Sequence, residues 1–495
     1  MSKLDDVKKQ LRLVAKLGSA SALSAWDEEV NLPAKGRAYR GQVNAYLATE
    51  LHRAVTAEHF VGNLKRLANP DQFKTLSADQ QVIVRQTWRD VRRQLKLPEK
   101  FVAELAELTS KAFGDWLEAR RTSNFGHFAP TLAKIIELKR RQAELLGYKD
   151  SPYDALLDDF EPGMTARRLD QLFKPLAGEL MKLVARLKAQ SPAKLPAWRY
   201  DQSAQQKLNQ AVAADLGYDL KAGRIDASPH PFTMALHPTD VRITTRYDEA
   251  AFWGSLGSVI HEVGHALYEQ GLPARHFGIP LGQAVSLGVH ESQSRLWENF
   301  VGKSRPFVDY LYPLLVKHFG RLPYSAEQLY LWLNRVEPSL IRVEADEVTY
   351  NLHIILRYEL ERDLIEGRLP VADLPSAWNQ KMKQYLGLPV PDDASGALQD
   401  IHWSHGYFGY FPTYSLGNLY AAQLYAAALK TRPGLEKGFA KGDFKDLLSW
   451  LRVNIHKQGR RYPVEELIQK VTGQKPMPGY LQKHLAAKLK LQNRE

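Results

Sequence analysis

Gly257-Ser258-Val259-Ile260-His261-Glu262-Val263-Gly264-His265-Ala266-Leu267-Tyr268 contains one HExxH motif, and its reading decides what the rest of the chain must supply. On a helix, His261 and His265 stand at i and i+4 on one face, close enough for both side chains to share one metal ion. Glu262 lies one residue round from His261, within reach of a water at that ion. Two neutral imidazoles with a neighbouring carboxylate as general base form the arrangement a metallopeptidase uses. The competing reading is two surface histidines on an ordinary helix. The surroundings must separate the two.

The chain has 495 residues, 44% of them hydrophobic, which is ample to bury a core. Charged residues make up 25% and aromatics 10%, a balance too apolar for disorder. Cysteine is absent. Disulfides and thiolate metal sites are therefore excluded, and any zinc must be held by His, Asp or Glu. The opening Met1-Ser2-Lys3-Leu4-Asp5-Asp6 is polar and shows no signal-peptide core, and no apolar run is long enough to span a membrane. These features predict a cytoplasmic protein without membrane partners. The formal charge of +12 raises nucleic-acid binding. The 67 Lys and Arg are spread along the chain among 55 acidic residues, however, and the pattern predicts a solvated basic surface rather than a nucleic-acid site.

Along the chain, helical periodicity dominates. Residues 1–60 read as helices with a break at Trp26 to Pro33, and residues 77–120 as two helices divided at Leu97-Pro98. A helix starts near Phe128-Ala129-Pro130 and stops at Gly147; Pro152 to Asp158 reads as a connector; Thr165 caps a helix to about Gln190. Ser191 to Pro196 is the most linker-like stretch, but no composition shift follows it, so a single domain over 1–495 is expected. The one convincing β signal is Phe232 to Tyr247, two runs rich in Thr, Val and Ile around His237-Pro238-Thr239-Asp240. Helices then occupy 253–270, 282–302, 306–320, 325–367 and 415–430 and continue to the C-terminus. The fold class is mainly α, with a small β-sheet beside the HExxH helix.

A catalytic zinc needs a third protein ligand and one open position. Gly288-Val289-His290-Glu291-Ser292-Gln293-Ser294-Arg295, on the next long helix, offers Glu291 and, as its rival, His290. The residues alone leave that choice open.

The motifs, taken in order, resemble the carboxypeptidase Taq family of HExxH metallocarboxypeptidases. The resemblance covers most of the chain. It includes Ala25-Trp26-Asp27 with Pro33, the Trp116 to Phe128 segment and Pro152-Tyr153-Asp154-Ala155-Leu156. It continues through His230-Pro231-Phe232, Asp240-Val241-Arg242-Ile243-Thr244, the HExxH motif and His290-Glu291-Ser292-Gln293. It ends with Ile341 to Asp346 and Gly396 to Trp403. It implies a large helical two-lobed fold with a deep central groove, similar to neurolysin and angiotensin-converting enzyme, and usually a homodimer.

Carried over by position, the resemblance makes His261, His265 and Glu291 the metal ligands and Glu262 the general base. Zinc is the implied metal, and cobalt or manganese suit the same donors. Gly406 to Tyr414 looks like the tyrosine loop of that fold, with Tyr410 as oxyanion donor and Tyr407 second. Arg342 is the family-motif candidate for the substrate's C-terminal carboxylate, against a structural ion pair with Glu344 or Asp346. His230 resembles a family residue near the substrate. His402, His405, Gln399 and Asp400 either contact substrate or pack. Arg242 and Thr244 are expected to fix the hairpin, whose strand could pair with an extended peptide. The expected function is release of single C-terminal residues with broad tolerance, proline being disfavoured. The alternatives are an oligopeptidase or dipeptidyl carboxypeptidase on the same groove, and a non-catalytic peptide-binding protein.

Overall fold

Helix boundaries fall where capping and breaking residues stand. The computed structural model describes residues 2–187 and 194–492, so Ser191, Pro192 and Ala193 of the expected linker lie outside the described residues. Long helices at Lys3–Val30 and Arg37–Thr56 open the chain and pair across the expected break, tied by Arg40 to Asp27 at 2.6 Å. Ala78–Leu95 and Glu99–Arg121 divide at Leu97-Pro98 as the pattern predicts. The next helix, Phe125–Leu146, begins earlier than Phe128: the Asp393 carboxylate accepts from Phe125 N at 2.9 Å, and Pro130 lies inside the helix. Pro152–Leu157 is a short helix rather than a connector: Ser151 Oγ accepts from Tyr153 N at 3.2 Å, and Pro152 suits a first helical turn.

Two expected helices are interrupted. The 325–367 stretch forms Ala326–Leu333 and Thr349–Ile365, with an irregular segment and a 3-10 turn at Arg342–Glu344 between them. Pro338 cannot donate to a helical ladder, and the Asp346 carboxylate accepts from Val348 N at 2.8 Å and Thr349 N at 3.0 Å to start a new helix. The 282–302 stretch starts only at Leu287, where Ser286 Oγ accepts from Val289 N, and turns π-helical over Leu296–Gly302.

Among the described residues the sheet has three strands in the order β1-β3-β2: β1 Gly223–Ala227, β2 Thr233–His237 and β3 Asp240–Thr245. The expected hairpin is β2–β3, antiparallel; β1, parallel to β3, was not foreseen. Gly-Arg-Ile-Asp-Ala carries one β-branched residue and two charges, so pairing to β3 rather than its own propensity makes it a strand. Arg242 bonds Asp240 at 2.8 Å and lies 4.5 Å over the Trp26 ring, and Thr244 Oγ1 accepts from Phe232 N at 3.0 Å. Both residues fix the hairpin, as expected.

The sheet leads into the HExxH helix, Phe252–Gly271, which is buried on most sides. Two glycines set how closely its neighbours approach. A Cβ on Gly264 would lie 2.5 Å from the Ser294 Cα, so the HExxH helix touches the Leu287–Arg295 helix backbone to backbone. A Cβ on Gly417, in the Pro412–Thr431 helix, would lie 2.5 Å from the Glu291 Cγ. Three helices thus stack with Glu291 in the middle layer. A smaller apolar core joins Leu4, Val7, Phe60, Leu64 and Val82 to Ile279 and Leu281, which follow the HExxH helix. Gly264→Ala forces the two backbones apart; it is expected to cost about 1–3 kcal/mol, read as a lowered Tm. An unchanged Tm would contradict this close contact.

Candidate metal centre and active site

The HExxH helix and the Glu291 helix cross at Gly264, which brings their polar residues together at the crossing. The donor atoms of His261, His265 and Glu291 lie within 4.8 Å of one another, the one such cluster among the described residues. Glu291 Oε2 is 3.6 Å from His261 Nε2 and 3.3 Å from His265 Nε2. Two imidazole nitrogens and one carboxylate oxygen converging on a point fit a four-coordinate divalent ion with an open position. His290 stands outside the cluster. Its Nδ1 lies 2.6 Å from His265 Nδ1, behind the ring, and its Nε2 lies 2.8 Å from Glu269 Oε1.

Every cluster residue is braced from behind. His261 Nδ1 is 2.8 Å from Glu298 Oε2, and His265 Nδ1 is 3.1 Å from the His290 carbonyl oxygen. Glu291 Oε1 accepts from Arg295 Nε at 2.7 Å, and Glu291 Oε2 accepts from Ser294 Oγ at 2.8 Å. Arg295 also reaches Glu298 at 3.2 Å. Such partners fix ring tautomer and orientation, leaving Nε2 free for an ion. Burial pushes Glu298 up, but Arg295, the His261 hydrogen bond and Lys303 outweigh it and leave its pKa at about 2. Glu291 is likewise raised by burial and carried well below the usual carboxylate range by Arg295 and His261. Burial lowers His265 to about 3, which keeps it neutral as a ligand must be.

Glu262 lies beside the cluster, mostly buried, and burial raises its pKa. Thr233 Oγ1, from β2, donates to Glu262 Oε2 at 2.6 Å. This contact joins the edge strand of the sheet to the HExxH helix at Glu262. His230, three positions earlier, has an exposed side chain.

The segment 402–414 comes close enough to the cluster for Tyr410 and Tyr414 to feel the Glu291 charge. Tyr410 is half-buried, with ring contacts to Phe160 at 5.2 Å, His402 at 5.3 Å, Tyr414 at 5.4 Å and Tyr407 at 5.9 Å. Burial and the nearby Glu291 charge raise its pKa to about 12, so its hydroxyl remains a donor at neutral pH. His402, lowered to about 3 by burial, lies 3.2 Å from the Tyr414 hydroxyl. His405 stacks on Phe113 and meets the Tyr407 ring at a tilt of 37°.

Arg342 is buried, and its ion-pair partner is Asp400, not Glu344 or Asp346. Its Nε and Nη2 meet Asp400 Oδ1 at 2.9 and 2.8 Å, and its Nη1 donates to Tyr350 OH at 3.2 Å. Asp400 Oδ2 is shared with Arg357 at 2.6 and 2.7 Å. Gln399 Oε1 accepts from Arg342 N at 2.9 Å. Gln399 and Asp400 therefore hold Arg342, and two guanidiniums on one carboxylate leave a net positive centre.

Sequence reasoning missed Glu298, Thr233 and Glu361. Arg295, four residues after Glu291, was within reach of helical spacing alone. Glu298 is placed by the π-helical turn, which no local pattern announces. Glu361, fully buried, accepts from Tyr153 OH at 2.7 Å, Trp403 Nε1 at 2.9 Å and Gly409 N at 3.1 Å. It therefore ties the start of the tyrosine loop and its middle to the Thr349–Ile365 helix.

Two predictions test these braces. Glu298→Gln removes the negative charge behind His261 and should weaken divalent-ion affinity about 10–100-fold in a chelator competition; an unchanged affinity would contradict the assigned support. Burial raises the Glu361 pKa to about 7. Between the ordinary carboxylate pKa and this value the folded protein binds the extra proton, so Glu361 makes stability fall as pH rises through that window. Glu361→Gln should therefore gain stability relative to the parent between pH 5 and pH 8, measured by denaturant unfolding. Parallel curves would refute the shift.

Comparison with known proteins identifies the family of the whole chain. Residues 6–489 match the family model described as carboxypeptidase Taq (M32) metallopeptidase. Thermostable carboxypeptidase 1 of Thermus thermophilus is 43% identical over 493 residues, covering 96% of this chain and 97% of the relative. Carboxypeptidase 1 of Bacillus subtilis is 37% identical over 487 residues, covering 97% of this chain and 96% of the relative. The crystal structure of the M32 carboxypeptidase from Deinococcus radiodurans superposes with a TM-score of 0.96 at 37% identity, covering 99% of each chain. A family match of this extent, on a chain whose HExxH helix and Glu291 helix assemble a divalent-ion cluster, shows that the protein belongs to the carboxypeptidase Taq (M32) family of metallocarboxypeptidases.

Proposed function

We propose that this enzyme is a zinc carboxypeptidase that releases single residues from the free C-termini of peptides, with broad side-chain tolerance and proline disfavoured. The observation that carries this reading is the convergence of His261, His265 and Glu291, with Glu262 held beside them by Thr233. A bound divalent ion would supply Lewis acidity, polarising a carbonyl and acidifying a water. Glu262 takes the proton of the attacking water and passes it to the leaving amine. The Thr233 hydroxyl fixes which carboxylate oxygen is free to do this. Tyr410 donates its O–H to the oxygen that gains charge as the carbonyl carbon becomes tetrahedral. Tyr407 is the weaker candidate because it is 44% exposed and lies one ring farther out.

The terminal carboxylate is drawn to the positive centre of Arg342 and Arg357, which Asp400 neutralises only in part. Arg342 lies 5.2 Å over the Tyr414 ring, which in turn contacts Tyr410. That path supports charge recognition close to the scissile bond, as removal of one residue requires. His230, His402 and His405 line the approach in this reading, and the β2 edge near Thr233 offers backbone to an extended peptide. Farther along β2, the Leu236 carbonyl is already taken by Ser19 Oγ at 2.5 Å. No described helix is long and apolar enough to cross a membrane. A homodimer in the cytoplasm is the matching proposal for assembly and location.

The test combines a metal assay with mass spectrometry of peptides digested from the C-terminus. We expect bound zinc, a ladder of single-residue losses from free-terminus peptides and little action on amidated ones. Chelation or Glu262→Gln should lower kcat by at least about a hundredfold while the fold is kept. Dipeptides as first products would make it a dipeptidyl carboxypeptidase; undiminished activity of Glu262→Gln would remove Glu262 from the mechanism.

A further inference from the structure

A row of aromatic rings leads from Tyr410 to the Glu99–Arg121 helix, which it reaches at Phe113. Tyr410 stacks on Tyr407 at 5.9 Å, Tyr407 meets His405 at 5.6 Å, and His405 stacks on Phe113 at 5.7 Å with an interplanar angle of 13°. Phe160 closes the inner end, 5.2 Å from Tyr410 and 6.2 Å from Tyr407. These rings are not core. Tyr407 is 44% exposed and Phe113 40% exposed, and Leu117, one helical turn beyond Phe113, is 52% exposed. A contiguous run of solvated apolar groups that begins at a catalytic centre marks a binding surface.

We propose that Phe113, His405 and Tyr407, with Phe160 at the inner end, form a track that binds aromatic or large apolar side chains upstream of the scissile bond. The proposal rests on the carboxypeptidase reading of the site. The aromatic rings around the Arg342 guanidinium are Tyr350, Phe411 and Tyr414, at 5.2–6.0 Å, and none of them belongs to the track. With the free terminus at Arg342, the track is left to side chains farther up the peptide.

Spacing supports the same occupant. The ring-to-ring steps are 5.6–5.9 Å. An extended peptide presents every second side chain on one face, about 6.6 Å apart, so alternate residues can meet successive rings. The track is also held in place before substrate arrives. Trp116 Nε1 donates to the Leu398 carbonyl at 3.0 Å, and Glu361 pins the loop through Trp403 and Gly409. A rigid aromatic surface binds with little ordering cost.

The test reads affinity rather than turnover. Metal-loaded Glu262→Gln protein is titrated with acetylated five-residue peptides ending in a free leucine. One peptide carries only alanine upstream; the others carry one phenylalanine at the second, third or fourth position before the terminus. Phenylalanine in at least one position should tighten Kd about three- to tenfold over the all-alanine peptide, and Phe113→Ala should remove that gain. Phe113→Leu, which keeps an apolar side chain at this exposed position, should retain part of it. Equal affinities for all the peptides, or a gain that survives Phe113→Ala, would overturn the track. Turnover of the all-alanine peptide by the unaltered enzyme is a separate readout. Its absence would defeat the carboxypeptidase reading while the affinities still decide the track.

Discussion

Backbone contact at Gly264 and Gly417 is the constraint on which the rest of this structure depends. Side chains at these positions would hold the three helices around Glu291 apart. Without them, the Glu291 carboxylate lies 3.3 and 3.6 Å from the two imidazoles. The metal-binding geometry is therefore a packing result before it is an electrostatic one. The i, i+4 spacing of His261 and His265 orients two donors; only the helix crossing brings in the third.

Electrostatics then sustains a site that burial alone would neutralise. Burial drives carboxylates toward the protonated form even when hydrogen bonds oppose it, as the raised pKa of Glu361 illustrates. Glu291 and Glu298 escape this because Arg295 serves both, at 2.7 and 3.2 Å. One guanidinium thus keeps a candidate ligand anionic and keeps the acceptor behind His261 charged. The same device appears at Asp400, with the stoichiometry reversed. There one carboxylate serves two guanidiniums, and the excess charge is positive. In both places a buried ion persists because a well-placed partner of opposite charge offsets its loss of water.

The tyrosine loop joins these ends. It is anchored below by Glu361 and packed above by aromatic rings, so Tyr410 is held by its surroundings and not by a regular element. Its position depends on residues from the Pro152–Leu157 helix, the Thr349–Ile365 helix and the loop itself.

The sequence by itself determined the local features. The HExxH helix, its histidines on one face, the β2–β3 hairpin and the predominance of helix all follow from short-range periodicity and turn chemistry, which act over a few residues. The resemblance of dispersed motifs added the family and the pairing of Glu291 with the two histidines. Tertiary structure decided what depends on contact between distant segments. It made β1 a strand by pairing it to β3, and broke the 325–367 stretch where Asp346 caps a new helix. It assigned Arg342 to Asp400 rather than to its neighbours Glu344 and Asp346, placed Glu298 behind His261 through a π-helical turn, and set Phe113 against His405 almost three hundred positions away. These outcomes turn on which backbones approach and which charges meet once water is excluded, and no local pattern in the chain encodes that.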